Sequence, residues 1–142
     1  MAVLLRRLKR VLGERARVIH PDLSPPGYVM LVEIHEAGPL RSSDLVDTFD
    51  ADKGGVSRGV QQLVELGLVE RQPDPDDRRA ALLSLTEEGR TAVLATRAHR
   101  RRRLEQVLAD WSPEDRHDFA RLVKLFNEST DQLIAEERAG EK

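Results

Sequence analysis

The chain contains no cysteine. Disulfides, thiolate metal sites, cysteine nucleophiles and thiol redox sensing are excluded together. Aromatic residues are few, one Trp, one Tyr and three Phe among 142 residues, so the core has to be aliphatic. Long apolar runs are missing too. The stretch "MAVLLRRLKRVLGERARVI" is interrupted by arginines throughout, so neither a signal peptide nor a membrane span is expected and the default location is cytoplasmic. His20, His35, His99 and His117 are scattered without two-ligand spacing, and no nucleophile–base pair is present. No metal, no cofactor and no enzyme activity are expected.

What is present is charge and helical periodicity. Charged residues make up 34% of the chain and hydrophobic ones 39%, the balance of a soluble, helix-rich protein with much solvated surface. The net charge of −2 conceals two opposed segments: residues 1–20 carry a balance of +5, and residues 21–52 a balance of −6 with Arg41 as their one base. The total therefore says nothing for or against a nucleic-acid partner.

Val3, Leu4, Leu8, Val11, Leu12 and Ile19 recur at helical spacing over 3–19, and the prolines and glycine of "HPDLSPPG" break that helix. A second helix is predicted over 27–37, stopped by Gly38-Pro39. A short one follows in "SSDLVDTFD", with Leu45, Val46 and Phe49 inward and Ser42 as candidate N-cap. Asp52 is placed to cap the next helix, "KGGVSRGVQQLVELG", where Val56, Val60, Leu63 and Val64 form one apolar face and Gly67 lies just past the end. Two short helices so closely spaced, the second with a polar outer face, are a helix-turn-helix signature. "LVERQ" and "AALLSL" then read as the strands of a hairpin whose tip is "PDPDDRRA", residues 73–80. Thr86 caps a long helix, and Ser112-Pro113 starts a final one over about 113–137.

A helix-turn-helix followed by strand, loop and strand is a winged helix. "LVELGLVER", "DPDDRRA" and "LTEEG", at these spacings, resemble the MarR family of bacterial winged helix-turn-helix transcriptional regulators, most densely over 38–90. The resemblance implies a mainly α fold with a small β-hairpin wing in a single domain over 1–142. Its winged helix-turn-helix lobe would span 27–85, with dimerisation helices at 1–20 and 86–138.

The residues of the fourth helix have physical roles to offer. A recognition helix enters the major groove with its N-terminal part nearest the bases. Gly54, Gly55, Ser57, Arg58, Gln61 and Gln62 lie on or beside the face opposite the apolar one and are expected to point outward. Arg58 can present a bidentate fork to guanine and the glutamines can do the same for adenine, while Lys53 and Ser57 suit phosphates. The resemblance adds that Ser57 and Arg58 match positions that meet DNA. It also implies that family members carry hydroxyl residues where this chain has Gly54 and Gly55, and Gly59 adds a third glycine. These glycines are expected to let the backbone approach DNA closely or to leave the helix to firm up on binding.

At the wing, the family pattern places a minor-groove arginine at Arg79 and a phosphate contact at Arg78. Asp77 is expected to orient the Arg79 guanidinium. No role for Asp74 or Asp76 follows from the sequence. "RAHRRRR" (97–103) is expected to brace acidic partners such as those of the last helix. Tyr28 and His35 are candidates for lining a small-molecule pocket, with a core role as the competing assignment. The apolar faces of the first and last two helices exceed what a small lobe can cover, so a homodimer is expected. The resulting picture is a dimeric DNA-binding regulator on a palindromic double-stranded operator, a repressor by family habit, released by a small-molecule effector. The competing picture is a winged-helix module that binds protein rather than DNA.

Overall fold

The computed structural model describes residues 2–77 and 79–140. The chain divides into two compact units, Met1–Arg100 and Arg101–Lys142. Its elements run α1 (Ala2–Ile19), α2 (Pro25–Ala37), β1 (Leu40–Arg41), α3 (Ser42–Phe49), α4 (Lys53–Glu65), β2 (Val69–Pro73), β3 (Ala81–Leu85), α5 (Glu87–Val107) and α6 (Pro113–Gly140).

Most helix starts follow the local chemistry foreseen for them. Asp52 Oδ1 accepts the Gly55 N–H at 2.7 Å, Thr86 Oγ1 accepts the Gly89 N–H at 3.0 Å, and Ser112 Oγ accepts the Asp115 N–H at 3.0 Å. Two starts differ from expectation. The prolines after Ser24 open α2 rather than merely ending α1, because proline's fixed φ and missing N–H suit the first turn. The cap of α3 is Arg41 rather than Ser42, since the Asp44 carboxylate reaches back 2.7 Å to the Arg41 N–H and fixes the chain one residue earlier. The exit from α4 is a Schellman turn: the Leu68 N–H donates to the Leu63 carbonyl and the Gly67 N–H to that of Val64, both at 3.0 Å, with Gly67 at φ 69°.

The wing has three strands, not the two read from the sequence. Order is β1-β3-β2, all antiparallel, with Leu40 opposite Leu83 and Val69 opposite Leu85. A two-residue strand has no periodicity to detect, so β1 was invisible without its partner. Leu83 on the central strand, Leu45 of α3, Leu31 and Ile34 of α2, and Val56, Val60 and Leu63 of α4 are all buried and form one aliphatic core. Each such side chain contributes roughly 1.5–3 kcal/mol on burial. That core fixes which side of α4 is left outside.

Many apolar residues of α1 and α6 are not covered. In the first unit, Val3, Leu4, Leu5 and Leu8 of α1 are exposed; in the second, Phe119, Leu122, Leu125, Phe126 and Leu133 of α6 are exposed. Trp111 packs edge-on against Phe119 with ring centroids 5.4 Å apart. No helix among the described residues is long and apolar enough to cross a membrane.

Candidate nucleic-acid interface

With Val56, Val60 and Leu63 buried, α4 turns Lys53, Gly54, Ser57, Arg58 and Gln61 to solvent. The Arg58 guanidinium lies back along the helix: its Nη1 stands 3.3 Å from where a Cβ on Gly54 would sit. Gly54 thus leaves room for a basic side chain to lie over the first turn, where main-chain N–H groups already favour an anion. Gln61 is exposed but engaged, donating to Glu65 Oε1 at 2.9 Å and accepting from Arg71 Nη2 of β2 at 3.4 Å.

The wing tip is a set of nested turns. Asp74 N–H donates to the Ala80 carbonyl across the loop, and Ala80 N–H donates to the Asp77 carbonyl. Arg79 is exposed at this tip. Asp77 Oδ1 accepts from the Arg79 main-chain N–H at 3.0 Å, so the carboxylate shapes the turn instead of aiming the guanidinium as expected. Arg78 lies outside the described residues.

Below the tip sits an acid that sequence reasoning left without a role. Asp74 is only 4% exposed, and its Oδ2 receives Arg41 Nε at 2.7 Å and Arg41 Nη2 at 2.5 Å. Its other oxygen, Oδ1, accepts the Asp76 N–H at 2.8 Å. The Asp76 main-chain amide, then Arg41, hold the Asp74 carboxyl below its ordinary range despite burial, and the hydrogen bond to Asp74 raises Arg41 in turn.

Between α4 and the wing runs an open cleft of about 430 Å³, lined by Arg41, Ser42 and Ser43 at the start of α3, Ser57 of α4, Arg71 of β2, and Ala80, Ala81 and Leu83 of the wing. Among the described residues two arginines, three serines and no carboxylate line it, in a chain whose net charge is negative.

Residues 22–80 match the model of the MarR family. The HTH-type transcriptional regulator YxaD of Bacillus subtilis is 31% identical over 108 residues, 76% of this chain and 76% of that one. The chain belongs to the MarR family. A crystal structure of MarR has a TM-score of 0.79 to it at 23% identity, covering 95% of this chain and 90% of that chain. A MarR family regulator from Listeria monocytogenes complexed with 26mer DNA has a TM-score of 0.72 at 20% identity, covering 90% of this chain and 84% of that chain. The chain is a DNA-binding transcriptional regulator of that family, not an enzyme, and the module that binds protein in place of DNA is set aside.

Within this MarR fold one expected DNA-facing residue is employed elsewhere. Gln62 Oε1 accepts from Ser24 N at 3.1 Å and Ser24 Oγ at 2.7 Å, while its Nε2 donates to the Asp22 carbonyl at 3.0 Å. The carboxamide ties the α1–α2 loop and the α2 cap to α4, so it is not a base-reading group. A helical wheel places Gln62 on the flank of α4 but does not say that α2 covers that flank. The same flank explains Gly59: a Cβ there would meet Met30 Sδ at 2.6 Å, so this glycine serves helix packing, not DNA approach. At Gly55 a Cβ would meet the capping Asp52 Oδ2 at 2.7 Å, which ties that glycine to the cap. Gln62→Ala is expected to cost about 1–3 kcal/mol through unsatisfied loop groups while leaving base preference unchanged. Thermal unfolding and binding to a set of operator variants check both halves.

Tyr28 and His35 do lie together, with Val32, Glu36, Val93, Arg97 and Arg100, but the space between them is about 10 Å³. That is room for about one water, against roughly 300–1,000 Å³ for ordinary ligand pockets. Tyr28 is a core residue here, 5% exposed. Arg97 pairs with Glu36 at 3.5 Å and lies 3.4 Å from His35 Nε2, and Arg101 pairs with Glu105 at 3.0 Å on its own helix. Arg97 and Arg101 thus meet acids of α2 and α5 rather than the expected ones of the last helix.

Proposed function

We propose that two copies of the chain bind a palindromic operator, each placing α4 in the major groove and its wing tip in the adjacent minor groove, and that occupancy represses transcription. One observation carries this reading. The strand backbone separating a major groove from the next minor groove has to pass between α4 and the wing, and there lies the cleft whose described lining is Arg41, Arg71, three serines and no carboxylate. Ser57 in the cleft wall and Lys53 at the start of α4 serve as phosphate contacts, Arg58 reads a base edge, and Arg79 enters the minor groove, where narrow width concentrates negative potential. Gln61, tethered to Glu65 and Arg71, assists at the C-terminal side of the helix. The exposed apolar faces of α1 and α6 support self-association. Release by a small effector would require opening the Tyr28–His35 cleft, which is closed to anything larger than water in this conformation.

Footprinting of the full-length protein on its own upstream DNA tests the reading. A palindromic footprint with half-sites about one helical turn apart, roughly 34 Å, is expected. Because each half-site loses one phosphate contact, Lys53→Ala should reduce the slope of log affinity against log salt by about 1.8. A slope unchanged by the substitution sinks Lys53 as a phosphate contact. Salt-independent binding of the intact protein sinks the whole interface.

A further inference from the structure

We propose that the Arg41–Asp74 pair is the joint that sets the wing against the helix-turn-helix, so that Asp74 is a positioning residue through which Arg79 reaches DNA. The proposal rests on the reading of Arg79 as the minor-groove residue. Arg41 stands at a crossing of three elements. It belongs to β1, opposite Leu82 of the wing; it caps α3, its N–H held by Asp44; and its side chain crosses to the root of the wing loop. There it grips Asp74 with two nitrogens on one oxygen.

Everything beyond Asp74 hangs from that carboxylate and the turns after it. Asp74 holds the Asp76 N–H with its second oxygen and the Ala80 carbonyl with its own N–H; Asp77 then turns the chain at Arg79 and Ala80. The β2–β3 ladder ends at Pro73 opposite Ala81, so strand pairing alone does not direct residues 74–80. Only the carboxylate of this pair is buried, the Arg41 side chain being 40% exposed; desolvation of Asp74 offsets much of the attraction, whereas the directional hydrogen bonds fix geometry. A guanidinium held by the first helix of the helix-turn-helix and a carboxylate at the wing root is such a fixture. The Arg41 side chain also lines the cleft between wing and α4, so the joint lies where a shift would alter their separation.

The test is a double-mutant cycle on the full-length protein, read by operator affinity and by hydroxyl-radical footprinting. Arg79→Ala should weaken operator binding by about tenfold or more. Asp74→Asn, which keeps volume and loses charge, should weaken it to a similar degree. The double variant should be no weaker than Arg79→Ala alone, since an unplaced Arg79 has nothing left to lose. In Asp74→Asn the protection of sugars in the flanking minor groove should vanish while protection under α4 persists. Arg41→Lys, which keeps the charge but not the two-nitrogen fork, should fall between wild type and Asp74→Asn, and it serves if the asparagine variant folds poorly. Multiplying effects in the cycle, or operator affinity within twofold of wild type in both Asp74→Asn and Arg41→Lys, would overturn the joint while leaving the wing reading intact. An Arg79→Ala variant with unimpaired binding would overturn both.

Discussion

Gly89→Ala is expected to destabilise the protein by about 3 kcal/mol, lowering its unfolding midpoint by roughly 10 °C. The methyl group would land on the Leu68 carbonyl oxygen and carbon, within a distance no Cβ tolerates. Struck side chains often rotate away, but this obstacle is main chain and is pinned from both sides. The Leu68 carbonyl accepts the Thr86 N–H at 3.1 Å, and Thr86 Oγ1 donates to the Gly67 carbonyl at 2.6 Å while accepting the Gly89 N–H. The N-terminus of α5 is thus clasped onto the turn between α4 and β2. Any retreat of Gly89 would open that clasp and the cap together. Gly140→Ala is the control, because nothing lies within 4 Å of a Cβ there and alanine is the better helix former. Comparable thermal midpoints for the two variants would refute the clasp.

That clasp also marks the limit of what the sequence makes legible. Thr86, Glu87 and Glu88 announce a helix start, and the glycine at Gly89 belongs to the motif that resembles the MarR family, but the contact that demands glycine follows from no local rule: it depends on where Leu68 returns after the Schellman turn. The helices were readable because caps and apolar spacing are local. The apolar face of α4 was readable for the same reason, and with it the outward set of Lys53, Ser57 and Arg58. Gln62 was misplaced because its role depends on the α1–α2 loop forty residues earlier. Asp74 was left unexplained because its partner stands 33 residues upstream. A signal for that partner did exist: Arg41 is the one base in the acidic segment 21–52, and a lone base among seven acids invites the question of which acid it serves.

Charge placement extends the same logic to the DNA surface. Four acids in or beside the wing, Glu70, Asp74, Asp76 and Asp77, ought to repel a phosphate backbone. Asp74 is neutralised by Arg41 and withdrawn from solvent, Asp77 is turned onto the main chain, and Glu70 accepts from Gln72 at 2.8 Å. Asp74 and Asp77 shape the hairpin, while Arg79 stays exposed at its tip and Arg71 lines the cleft below. A chain of net charge −2 can in this way present a locally basic surface to DNA, with non-specific affinity held down by the remaining negative charge.

Breaking the proposed dimer should have the largest effect on operator binding. Leu122 and Phe126 stand four residues apart on α6, 52% and 66% exposed, in a row with Phe119. A contiguous apolar row of this kind marks a surface for association, and a second copy of the same helix is self-complementary by symmetry. Leu122→Glu should leave the helix intact, since the position is solvated in the single chain, but would bury a carboxylate in the interface. Sedimentation should then report monomers, and affinity for the full palindrome should fall by about 100-fold or more as the second half-site loses its tethered partner. Affinity for an isolated half-site should stay as it was, because α4 and the wing are untouched. A Leu122→Glu protein that remains dimeric and binds the palindrome normally would place the dimer contact away from this face of α6. One that becomes monomeric yet still binds the palindrome tightly would show that each chain reads DNA alone, and the two-fold operator would lose its physical basis.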